Sequence, residues 1–155
     1  MRDVRRSRLV PGVLVLGLAL AGGCARPPVD AGGPSAVIET RTGPVRVQVE
    51  IADTPEVRER GLMHRTTLAE DAGMVFLWPE DTRSAFHMKD TLIPLSIAFF
   101  DAEGRILATL DMEPCRADPC PTYDPGVAYR GAIEVGRGAL SRWGVTVGDR
   151  IRIVR

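Results

Sequence analysis

The chain has 155 residues, with 20 basic and 20 acidic side chains and an apolar fraction of 45%. This size and composition fit one domain with a real hydrophobic core and exclude a chain that is disordered throughout. The sequence shows no internal period and no basic stripe, which excludes a repeat array and the usual footprint of a nucleic-acid partner.

The first 23 residues predict a secretory signal. Four arginines precede an apolar run over residues 9–21, which is shorter than the ~20 residues that span a bilayer. Small residues then lead to Cys24 in a pattern that resembles a bacterial lipobox. We expect lipid on Cys24 to anchor the chain to the membrane of the cell envelope. The alternative is an ordinary cleaved signal and a soluble secreted or periplasmic protein.

Residues 24–36 are rich in proline, glycine and alanine. This composition predicts a flexible tether between the membrane and a globular domain over residues 37–155.

Two further cysteines, Cys115 and Cys120, are separated by four residues in a proline-rich segment. In an exported protein, such a pair most simply forms a disulfide. A redox or metal-binding pair is the alternative, although the spacing is not the C-x-x-C of redox motifs.

The start of the domain predicts a strand pair followed by a short helix. Residues 45–51 alternate apolar and polar side chains, the period of a half-buried strand, and residues 37–42 form its partner. Thr54 is a good N-cap and Pro55 suits the first helical position. Gly61 can end the helix.

The rest of the domain is predicted to be mainly strands joined by short turns. A second short helix is expected over residues 139–143, ended by Gly144. Because closely spaced strands without long helical crossovers favour an antiparallel or mixed sheet, we expect a compact, β-rich α+β domain with a curled, barrel-like sheet and two short helices. The predicted strands cover residues 73–78, 84–88, 93–100, 105–112, 129–135 and 150–154, with turns around 79–81 and 101–104 and a loop over 113–127.

Three motifs carry a resemblance to a known family. They are Arg60-Gly61-Leu62-Met63-His64-Arg65, Gly73-Met74-Val75-Phe76 and the run from Phe86 to Phe99. With these motifs the chain resembles the family called domain of unknown function 192, over most of residues 45–154. The resemblance implies a small, β-rich, often exported α+β domain and supplies no reaction.

The chain departs from the pattern of that family at three positions. His87 stands where the family usually has Trp, Asp90 where it has Asn, and Ser96 where it has Asp. If that aspartate were a metal ligand or a general base in relatives, Ser96 could not replace it.

Six residues, together with the 113–127 loop, form the predicted ligand site. Lys89 is the only lysine of the chain, and its compact ammonium group could hold an anion or form a Schiff base; a structural ion pair is the alternative. The arginines beside the turn at 61–63 offer planar forks for a carboxylate or phosphate; the alternative is a solvated helix face. The candidates are Arg60, Met63, Arg65, Met88, Lys89 and Thr91.

Three functions remain open, because no known catalytic or nucleotide-binding signature is present and no cofactor is expected. The first is an envelope domain that binds a small ligand, with an anion as one option, or an envelope protein. The second is an enzyme that uses Lys89 with a nearby carboxylate. The carboxyl groups that could pair with one another as acid and base are those of Asp71, Asp90, Asp101, Asp111 and Glu134, and their spacing selects no pair.

The third function is copper handling. Thioether, imidazole and thiolate ligands suit Cu(I). The candidate copper ligands are four methionines of the domain, His64, His87 and the pair Cys115 and Cys120. Methionine is also an ordinary core residue, and we predict no resident metal. The four methionines are Met63, Met74, Met88 and Met112.

Overall fold

The computed structural model describes residues 32–155. The predicted signal, the lipid site at Cys24 and most of the predicted tether lie outside these residues. Within them, no helix has the length and apolar character needed to cross a membrane.

Residues 32–155 form nine strands and two short helices. The helices are α1 (Pro55–Arg60) and α2 (Ala139–Arg142). The strands are β1 (Ser35–Thr40), β2 (Gly43–Ala52), β3 (Ala72–Thr82), β4 (Phe86–His87), β5 (Leu95–Phe100), β6 (Ile106–Met112), β7 (Thr122–Tyr123), β8 (Tyr129–Gly136) and β9 (Arg150–Val154).

Seven of the strands form one curled sheet in the order β6-β5-β8-β3-β2-β1-β9. The β2–β3 pair is parallel and its connection contains α1, whereas the other pairs are antiparallel. The two edges of the sheet meet at one end, where the Ile106 amide donates to the Asp149 carbonyl oxygen and the Ile151 amide donates to the Gly104 carbonyl oxygen, both at 2.8 Å. Strands β4 and β7 form a separate two-stranded sheet.

Two hydrophobic cores lie on opposite faces of the sheet. The first draws side chains from all seven strands and from α2, so it fills the inside of the curl. The second lies on the other face of β3, β5 and β8, where Leu62 and Met88 from the loops pack against Phe76 and Phe99. This second face carries the candidate site.

The β-rich domain with a curled sheet and two short helices confirms the prediction from the sequence. The α+β label describes it only in part, because the helices have six and four residues. Helix α1 begins and ends where predicted: the Thr54 hydroxyl accepts the Val57 amide, and Gly61 ends the helix with φ of 46°.

The predicted turn at 79–81 is wrong, because β3 continues to Thr82. The pairing of β3 with β8 shifts register between Leu77 and Thr82. Pro79 lies in this irregular stretch, where its missing amide hydrogen does not interrupt a regular ladder.

Other boundaries also differ from the prediction. Strand β1 begins at Ser35, inside the predicted tether, because Ser35 and Ala36 pair with Gln48 and Val47 of β2. The strand expected over 84–88 keeps only the two residues of β4. The predicted 113–127 loop contains β7, which exists because it pairs with β4.

Candidate ligand-binding groove

A groove of about 330 Å³ lies on the second face of the sheet, beside α1, β3 and β4. Side chains from α1 and the turn after it form one side, and the segment 84–87 forms another. The residues that matter for its chemistry are Arg58, Arg60, Trp78, Phe86, His87 and Glu134.

Gly61 allows the chain to leave α1 directly against the groove. Its φ of 46° lies in the left-handed region that side chains disfavour. A Cβ at this position would also lie 3.3 Å from the Cζ atom of Phe76. The turn after α1 can therefore rest on the aromatic ring, which brings Leu62 and Met63 to the groove.

Arg58 fastens α1 to the sheet. Its Nη1 atom donates to the Leu77 carbonyl oxygen at 2.7 Å, and its guanidinium carbon lies 5.3 Å from the centre of the Trp78 ring. This cation–π contact and the hydrogen bond hold the helix over β3. Arg60, two residues later, is exposed at the groove and makes no side-chain hydrogen bond or ion pair with residues 32–155.

The groove wall belongs to a cluster of aromatic rings. Phe86 meets Phe76 edge to face at 5.1 Å between ring centres, and Trp78 meets Tyr129 in the same way at 5.3 Å. Tyr129 is fully buried and donates to the Ser84 carbonyl oxygen at 2.6 Å. Burial, with a smaller effect from Asp124, raises the pKa of Tyr129. The phenol therefore remains a donor that pins the 84–87 segment.

Glu134 is the unusual residue of the groove. It lies on β8 between Met74 of β3 and Ile97 of β5, and it is 5% exposed. A Cβ at Gly73 would lie 2.4 Å from the Glu134 carbonyl oxygen, so this close strand approach needs glycine. Desolvation by burial raises the pKa of the Glu134 carboxyl to about 8. The carboxyl is therefore mostly protonated at neutral pH.

The carboxyl of Glu134 has no hydrogen-bond partner among residues 32–155. Every fully buried side-chain nitrogen or oxygen in this part of the chain has a hydrogen-bond partner. Because the Glu134 oxygens have no partner, they are not fully buried. The open space that Glu134 lines is the groove, so the oxygens face it. The Glu134 carboxyl is therefore available to bond with a ligand in the groove.

Two residues with left-handed backbone join the loops beside the groove. His64 has φ of 62° and Asp90 has φ of 54°, and the His64 amide donates to the Asp90 carbonyl oxygen at 2.8 Å. Histidine and aspartate tolerate this conformation better than most residues do. The link fixes the turn after α1, which carries Met63, against the loop that carries Thr91.

Residues 36–153 match the family described as "DUF192: Uncharacterized ACR". The chain belongs to the DUF192 family. No curated protein matches it in sequence.

Two solved structures are similar to this DUF192 domain, each with a TM-score of 0.71. One is a proposed transcription regulator from Sinorhizobium meliloti 1021, with 29% identity over 77% of this chain and 93% of that chain. The other is a protein of unknown function from Novosphingobium aromaticivorans DSM 12444, with 25% identity over 76% of this chain and 83% of that chain.

The structure brings together some of the candidate residues that were predicted from the sequence. Arg60, Met63 and Thr91 line the groove. Met88 lies beneath this region with 1% exposure and packs in the second core. Arg65 is paired with Glu50 at 2.6 Å.

Lys89 lies outside the groove. It lines a second, shallower depression with Asp90, Arg116 and Asp118 beside the disulfide. The three basic candidates, Arg60, Arg65 and Lys89, therefore do not converge on one point.

The predicted disulfide between Cys115 and Cys120 is confirmed, with the Cα atoms 5.4 Å apart. It belongs to the 113–127 segment that supports β4 through β7. Three of the methionines considered for copper, Met74, Met88 and Met112, are buried in the second core.

The three positions noted in the sequence as departures from the family pattern have defined places in the structure. His87 is exposed and lines the groove. Asp90 has a left-handed backbone, which aspartate tolerates better than most residues do. Ser96 accepts the Gly138 amide at 2.8 Å and donates to Asp111, so here it holds the start of α2.

Sequence reasoning counted Glu134 only as one of five unselected acids. A signal existed, because Glu134 lies alone in an apolar strand sequence, Ala132-Ile133-Glu134-Val135. It became informative only when the topology placed β8 inside the sheet, with β5 on one side and β3 on the other.

Proposed function

We propose that this DUF192 protein is an exported, membrane-anchored domain that binds a small ligand in the groove over Glu134. The observation that carries the binding is a nine-tenths buried carboxyl, unpartnered within residues 32–155, that lines a groove. No residue among 32–155 uses this carboxyl as a hydrogen-bond partner, so it is available to a ligand that enters the groove. One such hydrogen bond contributes about 0.5–1.5 kcal/mol.

The charges at the groove favour an uncharged or anionic ligand. Arg58 and Arg60 outnumber Glu59, while Glu134 is mostly neutral at neutral pH because burial raises its pKa to about 8. Local charge of one sign attracts ligands of the other. The groove thus supports the small, anionic ligand that the arginines suggested, with Arg60 rather than Lys89 as its partner.

The proposed location depends on the sequence of the N-terminus. The basic start, the short apolar run and the lipobox-like residues before Cys24 support export and lipid anchoring. A disulfide in the domain supports an oxidising compartment. Incorporation of labelled palmitate into the full chain, and its loss in Cys24→Ala, would be the expected result; labelling that persists without Cys24 would contradict the anchor.

Native mass spectrometry of the protein purified from the bacterial envelope tests the binding itself. We expect extra mass in the native spectrum that disappears when the protein is denatured. Ala85→Trp, which fills the groove mouth, should prevent this adduct. Ala69→Trp, also exposed and outside the groove lining, is the matched control. An adduct that survives Ala85→Trp would contradict the groove as the site.

A further inference from the structure

Three chemically different features line the same groove. Arg60 provides an exposed guanidinium, and Trp78 and Phe86 provide aromatic surface. Glu134 provides a buried carboxyl on the internal strand β8. A ligand that satisfies all of them needs a separate matching group for each feature. The combination therefore restricts the ligand class more than any single residue does.

The exposed end of this arrangement matches an anion. The guanidinium of Arg60 has no ion pair within residues 32–155, whereas Arg65 is paired with Glu50. A guanidinium can bind a carboxylate or phosphate through two parallel hydrogen bonds. Arg58 adds positive charge, although its own hydrogen bond is directed to Leu77.

The buried end matches a neutral polar group. A protonated carboxyl presents one O–H donor and one free acceptor, and burial favours this form of Glu134 by raising its pKa. A hydroxyl or carbonyl on the ligand can bond to it without bringing a charge into the core. An ammonium group would have to pass beside the two arginines and would bind well only to the ionised carboxylate, which burial disfavours.

The size of the groove points to one small molecule. Its volume of about 330 Å³ is at the lower end of the range for small-molecule pockets. The aromatic rings of Trp78 on β3 and Phe86 on β4 give this groove an apolar surface.

We infer that the ligand is a small amphipathic anion, with an apolar or aromatic body and an uncharged hydrogen-bonding group at the end opposite its anionic group. This inference rests on the proposed function and names its ligand class. Arg60 selects the anionic end and Glu134 selects the uncharged polar end.

Binding of such a ligand is linked to pH through Glu134. Above a pH of about 8 the free carboxyl ionises, so it loses its donor and repels the anion. The other titratable or charged groups that line the groove are Arg58, Glu59 and Arg60 on α1 and His87 on β4. His87→Gln, which replaces the imidazole of the groove lining by an uncharged amide, is the control for Glu134.

Fluorescence titration tests the inference. The protein used is the full-length Trp143→Phe variant in detergent. Trp143 packs against the first core, so its replacement leaves Trp78 at the groove as the tryptophan reporter. The probe is 4-hydroxyphenylacetate, which has an anion, a ring and a hydroxyl. Phenylacetate lacks the hydroxyl, and tyramine replaces the anion by an ammonium group. We expect the probe to bind about tenfold more tightly than either comparison compound, about the effect of one hydrogen bond or charge contact.

Variants assign the two selecting residues. Glu134→Leu should remove the preference for the hydroxyl, whereas Glu134→Gln should keep much of it, because an amide also donates and accepts. Binding by wild type should weaken above about pH 8, and Glu134→Gln should abolish this weakening. Binding by His87→Gln should still weaken above that pH. Arg60→Gln should weaken binding of the probe several-fold and should not weaken binding of tyramine, whose ammonium group the guanidinium repels.

Equal or tighter binding of tyramine or phenylacetate would overturn the inferred ligand class. A lack of saturable binding by the probe up to about 10 mM, where affinity is negligible, would overturn it as well. In either case an envelope-derived adduct that Ala85→Trp prevents would preserve the proposed function. If no adduct forms, or if the adduct survives Ala85→Trp, both the inferred ligand class and the proposed function would be overturned.

Discussion

Tyr129, fully buried on β8, donates its hydroxyl hydrogen to the backbone carbonyl oxygen of Ser84 at a distance of 2.6 Å. This bond joins the centre of the sheet to the segment that forms one side of the groove. The segment is otherwise held mainly by the short β4–β7 pairing and by the contacts of the Phe86 ring. The geometry of the groove therefore depends on a few contacts outside the large sheet.

Tyr129→Phe should lower the free energy of unfolding by about 1–2 kcal/mol, because the Ser84 carbonyl loses its partner. Urea denaturation measures the effect, and the dependence on urea concentration should keep the wild-type slope. Binding at the groove should weaken as well, since the 84–87 segment loses an anchor. Wild-type stability in the variant would contradict a role for this bond.

Glu134→Gln should change how stability depends on pH. The folded pKa of Glu134, about 8, is above its ordinary value of 4.5. The protonated form thus favours folding fully below about pH 4.5, and this contribution is lost as pH rises towards 8. Urea denaturation should show similar stability for both proteins at pH 4 and an advantage for Gln on the order of a few kcal/mol at pH 9. Glu70→Gln, an exposed glutamate, is the control; parallel pH profiles for wild type and Glu134→Gln would contradict the buried, protonated carboxyl.

Replacing Cys115 and Cys120 by serine should destabilise the domain by about 2 kcal/mol, the chain-entropy value for so short a closed loop. The same change should weaken binding at the groove, because β7 supports β4 and the Cys115 amide donates to the Met88 carbonyl oxygen at 3.3 Å. Thermal unfolding and probe titration measure the two effects. Lower stability with undiminished binding would show that the 113–127 segment does not shape the groove.

Ser96→Ala should cost about 1–3 kcal/mol, since the Gly138 amide and Asp111 both lose their bond to the buried hydroxyl. Ser141→Ala, on the exposed side of α2, provides a matched control. Thermal denaturation compares the two variants. Equal effects would argue against Ser96 as the residue that holds the start of α2.

Arg60→Gln and Lys89→Gln remove one positive charge each from different depressions. We expect Arg60→Gln to weaken binding of 4-hydroxyphenylacetate several-fold and Lys89→Gln to leave it unchanged. The reverse result would place the ligand beside the disulfide instead of in the groove.

The parts of the fold that local chemistry controls were predictable from the sequence. Helix α1 followed from Thr54, Pro55 and Gly61, each of which acts within one turn of chain. The end of β3 was not predictable, because its irregular pairing with β8 keeps the chain extended past Pro79. Strand β7 also depends on its partner, since two residues form a strand only when another segment pairs with them.

The candidate site was predictable in the same limited way. Arg60, Met63 and Thr91 lie near motifs that are visible in the sequence, and all three line the groove. Lys89 was predicted to belong to the site because it is the only lysine of the chain. Its neighbour Met88 is buried in the core, and Lys89 itself lines the second depression and not the groove. Glu134 needed the three-dimensional neighbours of β8, because burial on both sides of a strand is a property of the assembled sheet.

The central claim is that a buried, protonated Glu134 carboxyl contacts the ligand. The most direct measurement of it is ¹³C NMR of that carboxyl in protein labelled at the glutamate side chains. The spectrum of Glu134→Gln assigns the signal. The predicted result is a titration midpoint near 8 in the free protein, which moves upward when 4-hydroxyphenylacetate binds and stabilises the protonated form. A midpoint near the ordinary glutamate value that does not move with the probe would contradict both the buried, protonated carboxyl and its contact with the ligand.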